Sequence, residues 1–127
     1  MINWDAYTNF TADEFRCKCG CGFVAMDGDF MSRIQLVRSS VGFAMPVTSG
    51  FRCHKHDEKI GGAGVHPTGQ AADFNLHGSQ VFEVVAVAAK FGLHRIGLNQ
   101  KGLRVNRFIH LDNLVDDKHP TPWIWTY

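Results

Sequence analysis

Arg107-Phe108-Ile109-His110-Leu111-Asp112 reads as the strongest β-strand of the chain. Successive side chains of a strand point to opposite faces, so Phe108, His110 and Asp112 share one face while Ile109 and Leu111 share the other. An imidazole and a carboxylate on a strand otherwise built of Phe, Ile and Leu are costly to bury without partners. The strand therefore predicts a core on one side and a polar site on the other.

Working back along the chain, Arg95-Ile96-Gly97-Leu98 is a second strand. Before it, Ser79 caps a helix running to Phe91, with Gly92 as its left-handed terminator, and its Val81, Val84, Val85 and Ala88 form a core face. Ala71–Leu76 reads as a strand, and Pro46–Phe51 as a short one. Between them, Arg52–Gln70 carries Gly61, Gly62, Gly64 and Gly69 and no hydrophobic period, so it is predicted to be a loop, of a length that is usually functional. Phe30, Ile34, Val37 and Val41 recur at helical spacing, which predicts a helix over Asp29–Val41 closed by Gly42. Thr11-Ala12-Asp13-Glu14 fits a capping box that opens a short helix, after which Gly20 and Gly22 make a loop. Helices and strands mix without a βαβ alternation, which predicts an α+β fold, a small antiparallel sheet with helices packed on it, in one domain over 1–127.

Composition narrows the function. The 127 residues are 45% hydrophobic and 20% charged with net charge +1, enough apolar material for one core. No Lys or Arg run provides a footprint for nucleic acid. No apolar run approaches the ~20 residues needed to span a bilayer. Met1-Ile2-Asn3-Trp4-Asp5 lacks the basic-then-apolar pattern of a secretory signal, so a substrate outside the membrane would require another export route or lysis of the host. A monomer is expected.

Seven histidines are many for this length, and His is the commonest metal ligand. His66, Asp73 and His110 stand at the ends of or within the elements above. Two imidazoles and one carboxylate around zinc give three protein ligands and one open position, the arrangement of a catalytic rather than a structural site. The plain readings are that Asp73 caps a turn, that His94 and His119 are surface or satisfied core residues without a role, and that His54 and His56 are ligands, their supports or surface residues. Cys17, Cys19, Cys21 and Cys53 leave three states open: one disulfide to Cys53, a shared structural metal without the usual C-x2-C knuckle, or free thiols. A thiol hydrolase built on Cys53 with His54 or His56 is disfavoured, because neighbours on a loop place sulfur and imidazole poorly.

The order of motifs carries more. Ser49-Gly50-Phe51-Arg52, then His56, the Gly61-Gly62 pair, His66-Pro67-Thr68-Gly69-Gln70-Ala71-Ala72-Asp73 and Phe108-Ile109-His110-Leu111-Asp112 together resemble the zinc D-Ala-D-Ala carboxypeptidase family. That family also contains bacteriophage L-alanyl-D-glutamate endolysins and shares its fold with the hedgehog signalling domain. The resemblance runs from about Phe15 to the Trp123–Tyr127 tail. A phage-type branch also carries cysteine-rich segments like Phe15–Cys21, paired with a cysteine after the Ser-Gly-aromatic-Arg motif.

By resemblance, His66, Asp73 and His110 are the zinc ligands, Arg52 faces the substrate as a catalytic and binding residue, and Ser49 helps orient the peptide. The implied activity is hydrolysis of amide bonds in peptidoglycan stem peptides. Many family members place Asp or Glu three residues before the last His as general base; here that position is Arg107, which stays protonated. Asp112, on the same face as His110, is the expected replacement, or else a group that orients a ligand histidine. Asp57 and Glu58 are the reserves. The competing expectation is a catalytically silent wall-binding or phage structural module that keeps fold and metal.

Overall fold

A computed structural model describes residues 2–127 of the chain. Met1, which heads the segment read for a secretory signal, lies outside the described residues. The fold is α+β. Four helices, α1 (Ala12–Phe15), α2 (Gly28–Val41), α3 (His54–Lys59) and α4 (Ser79–Ala88), accompany five strands. The strands are β1 (Val47–Ser49), β2 (Ala71–Phe74), β3 (Arg95–Asn99), β4 (Phe108–Asp112) and β5 (Trp123–Thr126). Their order across one sheet is β1-β2-β4-β3-β5.

The alternation read in β4 places it at the centre of this sheet, with Ile109 and Leu111 fully buried on the apolar side. Ala72 and Phe74 of β2 join them there. The spacing in α2 presents Phe30, Met31, Ile34 and Val37 to that surface, and α4 adds Val81, Val84 and Ala88. Each of the larger side chains, Val, Leu, Ile, Phe or Met, contributes about 1.5–3 kcal/mol on full burial. The Asp27 carboxylate caps α2 by accepting the Phe30 N–H at 2.9 Å, and Gly42 ends the helix in the left-handed region. The Thr11 capping box is present at the start of α1.

Three local expectations change. The sheet is mixed rather than wholly antiparallel, because β5 pairs parallel to β3. The tail reaches that edge after Arg95 Nη1 donates to the Pro120 carbonyl at 2.6 Å, and it is fastened by Trp123 N–H to His94 O and Tyr127 N–H to Leu98 O. The segment Arg52–Gln70 is not all loop: it contains α3 and a 3-10 turn at His66–Thr68. Helix α3 has no hydrophobic period to betray it, since Asp57 is its single buried residue. Gly78 rather than Ser79 stands at the N-cap of α4, and Ala89–Phe91 continues it as a tight 3-10 turn. Among the described residues no helix is long and apolar enough to cross a membrane.

Candidate metal centre

One cross-strand row runs through all five strands and carries the site. In register, Ser49 faces Asp73, Asp73 faces His110, His110 faces Gly97, and Gly97 faces Trp125. Directly opposed residues in an antiparallel pair point to the same face with Cβ atoms about 5 Å apart, so strand pairing alone brings the Asp73 carboxylate to the His110 ring. The third member arrives from the loop: the 3-10 turn at His66–Thr68 sets the His66 ring 5.2 Å from that of His110. One candidate ligand atom from each of His66, Asp73 and His110 lies within 4.8 Å of the others. All three residues are buried, with exposures of 5%, 8% and 4%.

The hydrogen bonds assign the ring nitrogens. His66 Nδ1 lies 2.8 Å from the Gly50 carbonyl, which can only accept, so Nδ1 carries the proton and the Nε2 lone pair faces Asp73 Oδ2 at 3.6 Å. His110 Nε2 lies 2.7 Å from Asp112 Oδ2, and its Nδ1 lies 2.8 Å from Asp73 Oδ1. Burial works to lower the His110 pKa, but the bonds to Asp112 and Asp73 outweigh it and raise the value. Burial likewise works to raise the Asp73 carboxyl, and the His110 and His66 rings overcome it, holding the group well below the usual carboxylate range. An ionised carboxylate beside two imidazoles, each anchored through its other nitrogen to a carbonyl or carboxylate, is a donor set that fits zinc. His66 Nε2, an Asp73 oxygen and His110 Nδ1 are the atoms that would hold it.

Asp112 does not reach the cleft. It is 0% exposed; Oδ1 accepts from Arg95 Nε at 2.8 Å and from the Leu114 N–H at 3.1 Å, while Oδ2 meets His110. A carboxylate saturated in this way is placed to fix a ring, the second of the two roles foreseen for it. Of the reserve bases, Asp57 is buried and bound to Arg52 Nη1 at 3.0 Å and to the Gly64 N–H at 2.9 Å, and Glu58 is exposed on α3, away from the cleft. Arg107 points elsewhere, donating from Nε to the Gly102 carbonyl.

Arg52 lines the cleft beside the candidate ligands. Its Nε donates to Ser49 Oγ at 3.1 Å, Asp57 holds Nη1, and Nη2 stands 3.8 Å from Asp73 Oδ2. Ser49 thus acts on Arg52 and does not line the cleft. The cleft has a volume of about 380 Å³; its walls include Arg52, the Gly61–Ala63 loop, the three candidate ligands and an aromatic side.

That aromatic side was not legible in the sequence. The Trp125 ring lies 5.2 Å from His110, stacked under the Arg95 guanidinium at 5.0 Å, and Phe108 and Tyr127 extend it with centroids 5.0 Å apart. Gly97 makes this possible, since a Cβ there would sit 2.6 Å from the indole. The alternation Trp123, Trp125, Tyr127 was the available signal. His119, read as a surface or satisfied core residue without a role, also lines the cleft, with Nδ1 held at 3.0 Å by Asp116. Cys53, by contrast, does not line the cleft; its sulfur accepts the His56 backbone N–H and lies among the other cysteines.

No curated protein matches the chain. A family model described as peptidase M15 matches residues 8–112, a span that takes in every residue of the Asp73–His110 row except the Trp125 wall. With that match over most of its length, and with His66, Asp73 and His110 brought together as a candidate metal site, the chain belongs to the peptidase M15 family of zinc metallopeptidases.

Proposed function

We propose that the protein hydrolyses amide bonds in the stem peptides of peptidoglycan, as a carboxypeptidase or an endolysin-type endopeptidase, with zinc held by His66, Asp73 and His110. The single observation that carries this reading is the buried triad opening into a cleft beside Arg52. Bound there, zinc would polarise the scissile carbonyl and make water a stronger nucleophile near neutral pH. The chain's own residues do the rest. Arg52, its fork held by Ser49 and Asp57, presents a fixed positive charge for a free carboxylate of the stem peptide or for the oxyanion that develops at the carbonyl. Asp112 keeps the His110 ring in one orientation and tautomer. The wall of Trp125, Phe108 and Tyr127 excludes water from one side, and burial keeps the Tyr127 phenol protonated, able to donate a hydrogen bond to the substrate.

His119 is the group in this cleft suited to move the proton. Asp116 occupies its Nδ1, leaving Nε2 to take a proton from the attacking water and return it to the leaving amine. Asp112 acts through His110 in this scheme, not on water. The reading extends to a monomeric lysis enzyme of phage or prophage type, meeting the wall once the membrane is breached.

Mass spectrometry of purified peptidoglycan incubated with the zinc-loaded protein, with and without chelator, tests the proposal. New peptide termini that vanish on chelation are expected, and their positions identify the bond. Intact stems on several wall preparations, with zinc bound, would favour the silent wall-binding module. His119→Gln is expected to retain zinc and lose about 10²–10⁴-fold in kcat; unchanged turnover removes His119 from the mechanism.

A further inference from the structure

We propose that Cys17, Cys19, Cys21 and Cys53 bind a second, structural zinc ion, which clamps the loop after α1 to the start of α3. The four sulfurs come from sites 36 residues apart in sequence at the extremes, yet all lie within 4.8 Å of one another. Cys17 Sγ is 3.5 Å from Cys19 Sγ, and Cys19 Sγ is 3.7 Å from Cys53 Sγ. Four thiolates at the ~2.3 Å zinc–sulfur distance, arranged tetrahedrally, have sulfurs about 3.8 Å apart. A single disulfide accounts for two of these sulfurs; it leaves unexplained why the other two converge on the same point.

Backbone N–H groups point at two of the sulfurs. Cys17 Sγ accepts the Cys53 N–H at 3.4 Å, and Cys53 Sγ accepts the His56 N–H at 3.4 Å. Gly20 and Gly22, at φ 89° and 81°, fold the loop back so that the Cys17 N–H reaches the Phe23 carbonyl at 2.9 Å. Four thiolates this close together would repel one another unless a cation lay among them. Zinc with four thiolates keeps two negative charges, and Lys55 and Lys59 flank the exposed side of the cluster.

The clamp has a consequence for the catalytic cleft. Arg52 sits between two ties to the same segment: the Phe51 N–H donates to the Phe15 carbonyl at 2.8 Å, and the Cys53 N–H to Cys17. Metal at the cysteines would hold both ends of that short span and so steady the guanidinium.

Metal analysis and thiol titration of anaerobically purified protein test the proposal independently of catalysis. Wild type is expected to carry about two zinc ions per chain, and His66→Ala/His110→Ala, with its cysteines intact, about one. In both, the four thiols should react with a thiol reagent only after the zinc is displaced. Cobalt substitution of the double variant should give thiolate-to-cobalt charge-transfer bands, which nitrogen and oxygen ligands do not produce. Cys19→Ser/Cys21→Ser should lose one zinc equivalent while keeping the other. Freely reacting thiols in metal-loaded wild type, or an intact mass lower by about two hydrogens per bridge, would overturn the proposal. The wild-type and His-variant measurements decide even if the cysteine variant does not fold.

Discussion

Among the described residues, the two clusters of ligand-type side chains are positioned by different kinds of structure. Asp73 and His110 stand opposite each other on adjacent strands in the middle of the sheet, buried and fixed by register. The cysteines lie on a glycine-turned loop and at a short helix start, three of the four being exposed or half-buried. In the first, the fold positions the ligands whether or not anything binds; in the second, few apolar contacts hold the ligands and a bound ion would do that work. A register-built site suits catalysis, because a slip of one residue would move Asp73 to the other face. A loop-built site suits a staple.

The variant that should break this contrast most sharply is Asp73→Ala. It removes a ligand from a preformed site, so zinc at the triad and at least about 10³-fold of activity should be lost. The fold should persist, since the strand pairing is made by backbone. Peptide release assays with metal analysis check it; substantial turnover without triad zinc would break the link between site and activity.

Arg52→Lys should come next. The charge survives, but an ammonium cannot hold Ser49, Asp57 and a substrate carboxylate at once, and kcat/KM should fall about 10²-fold with both metals retained. Asp112→Asn tests the outer support of His110: zinc affinity at the triad should weaken about 10–100-fold, with activity recovering in excess zinc. Failure to recover with zinc bound would give Asp112 a direct part in the reaction.

The smallest effect is on stability and depends on pH. In metal-stripped protein, burial opposes but the Asp112 and Asp73 bonds prevail, and the His110 pKa stands above its ordinary ~6.5. Folding therefore holds that proton more tightly than the unfolded chain does. The resulting stability is complete below about pH 6.5 and is lost as pH rises through the raised value. Thermal melts of stripped protein should fall on going alkaline, while zinc-loaded protein should not follow, because the cation replaces the proton. A stripped protein that gains stability over that range would contradict the bonds assigned to His110.

Legibility followed the same division. The alternation in Phe108–Asp112 was enough to place Ile109 and Leu111 in the core and His110 and Asp112 on the polar face, and periodicity found α2 and α4. Register was not legible, and with it the fact that Gly97 leaves room for Trp125 beside His110. Helix α3 escaped because it buries a carboxylate, Asp57, where periodicity looks for apolar residues. The choice between the two roles of Asp112 was not legible, because strand geometry gives a shared face but not the partner, Arg95, that closes the carboxylate off from the cleft.

Anomalous diffraction at the zinc edge from crystals of the zinc-loaded protein tests the central assignment most directly. A peak within bonding distance of His66 Nε2, an Asp73 carboxylate oxygen and His110 Nδ1, with His110 Nε2 still on Asp112, is expected. A map without density at that point, or an ion bound through His110 Nε2 with Asp112 displaced, would contradict it.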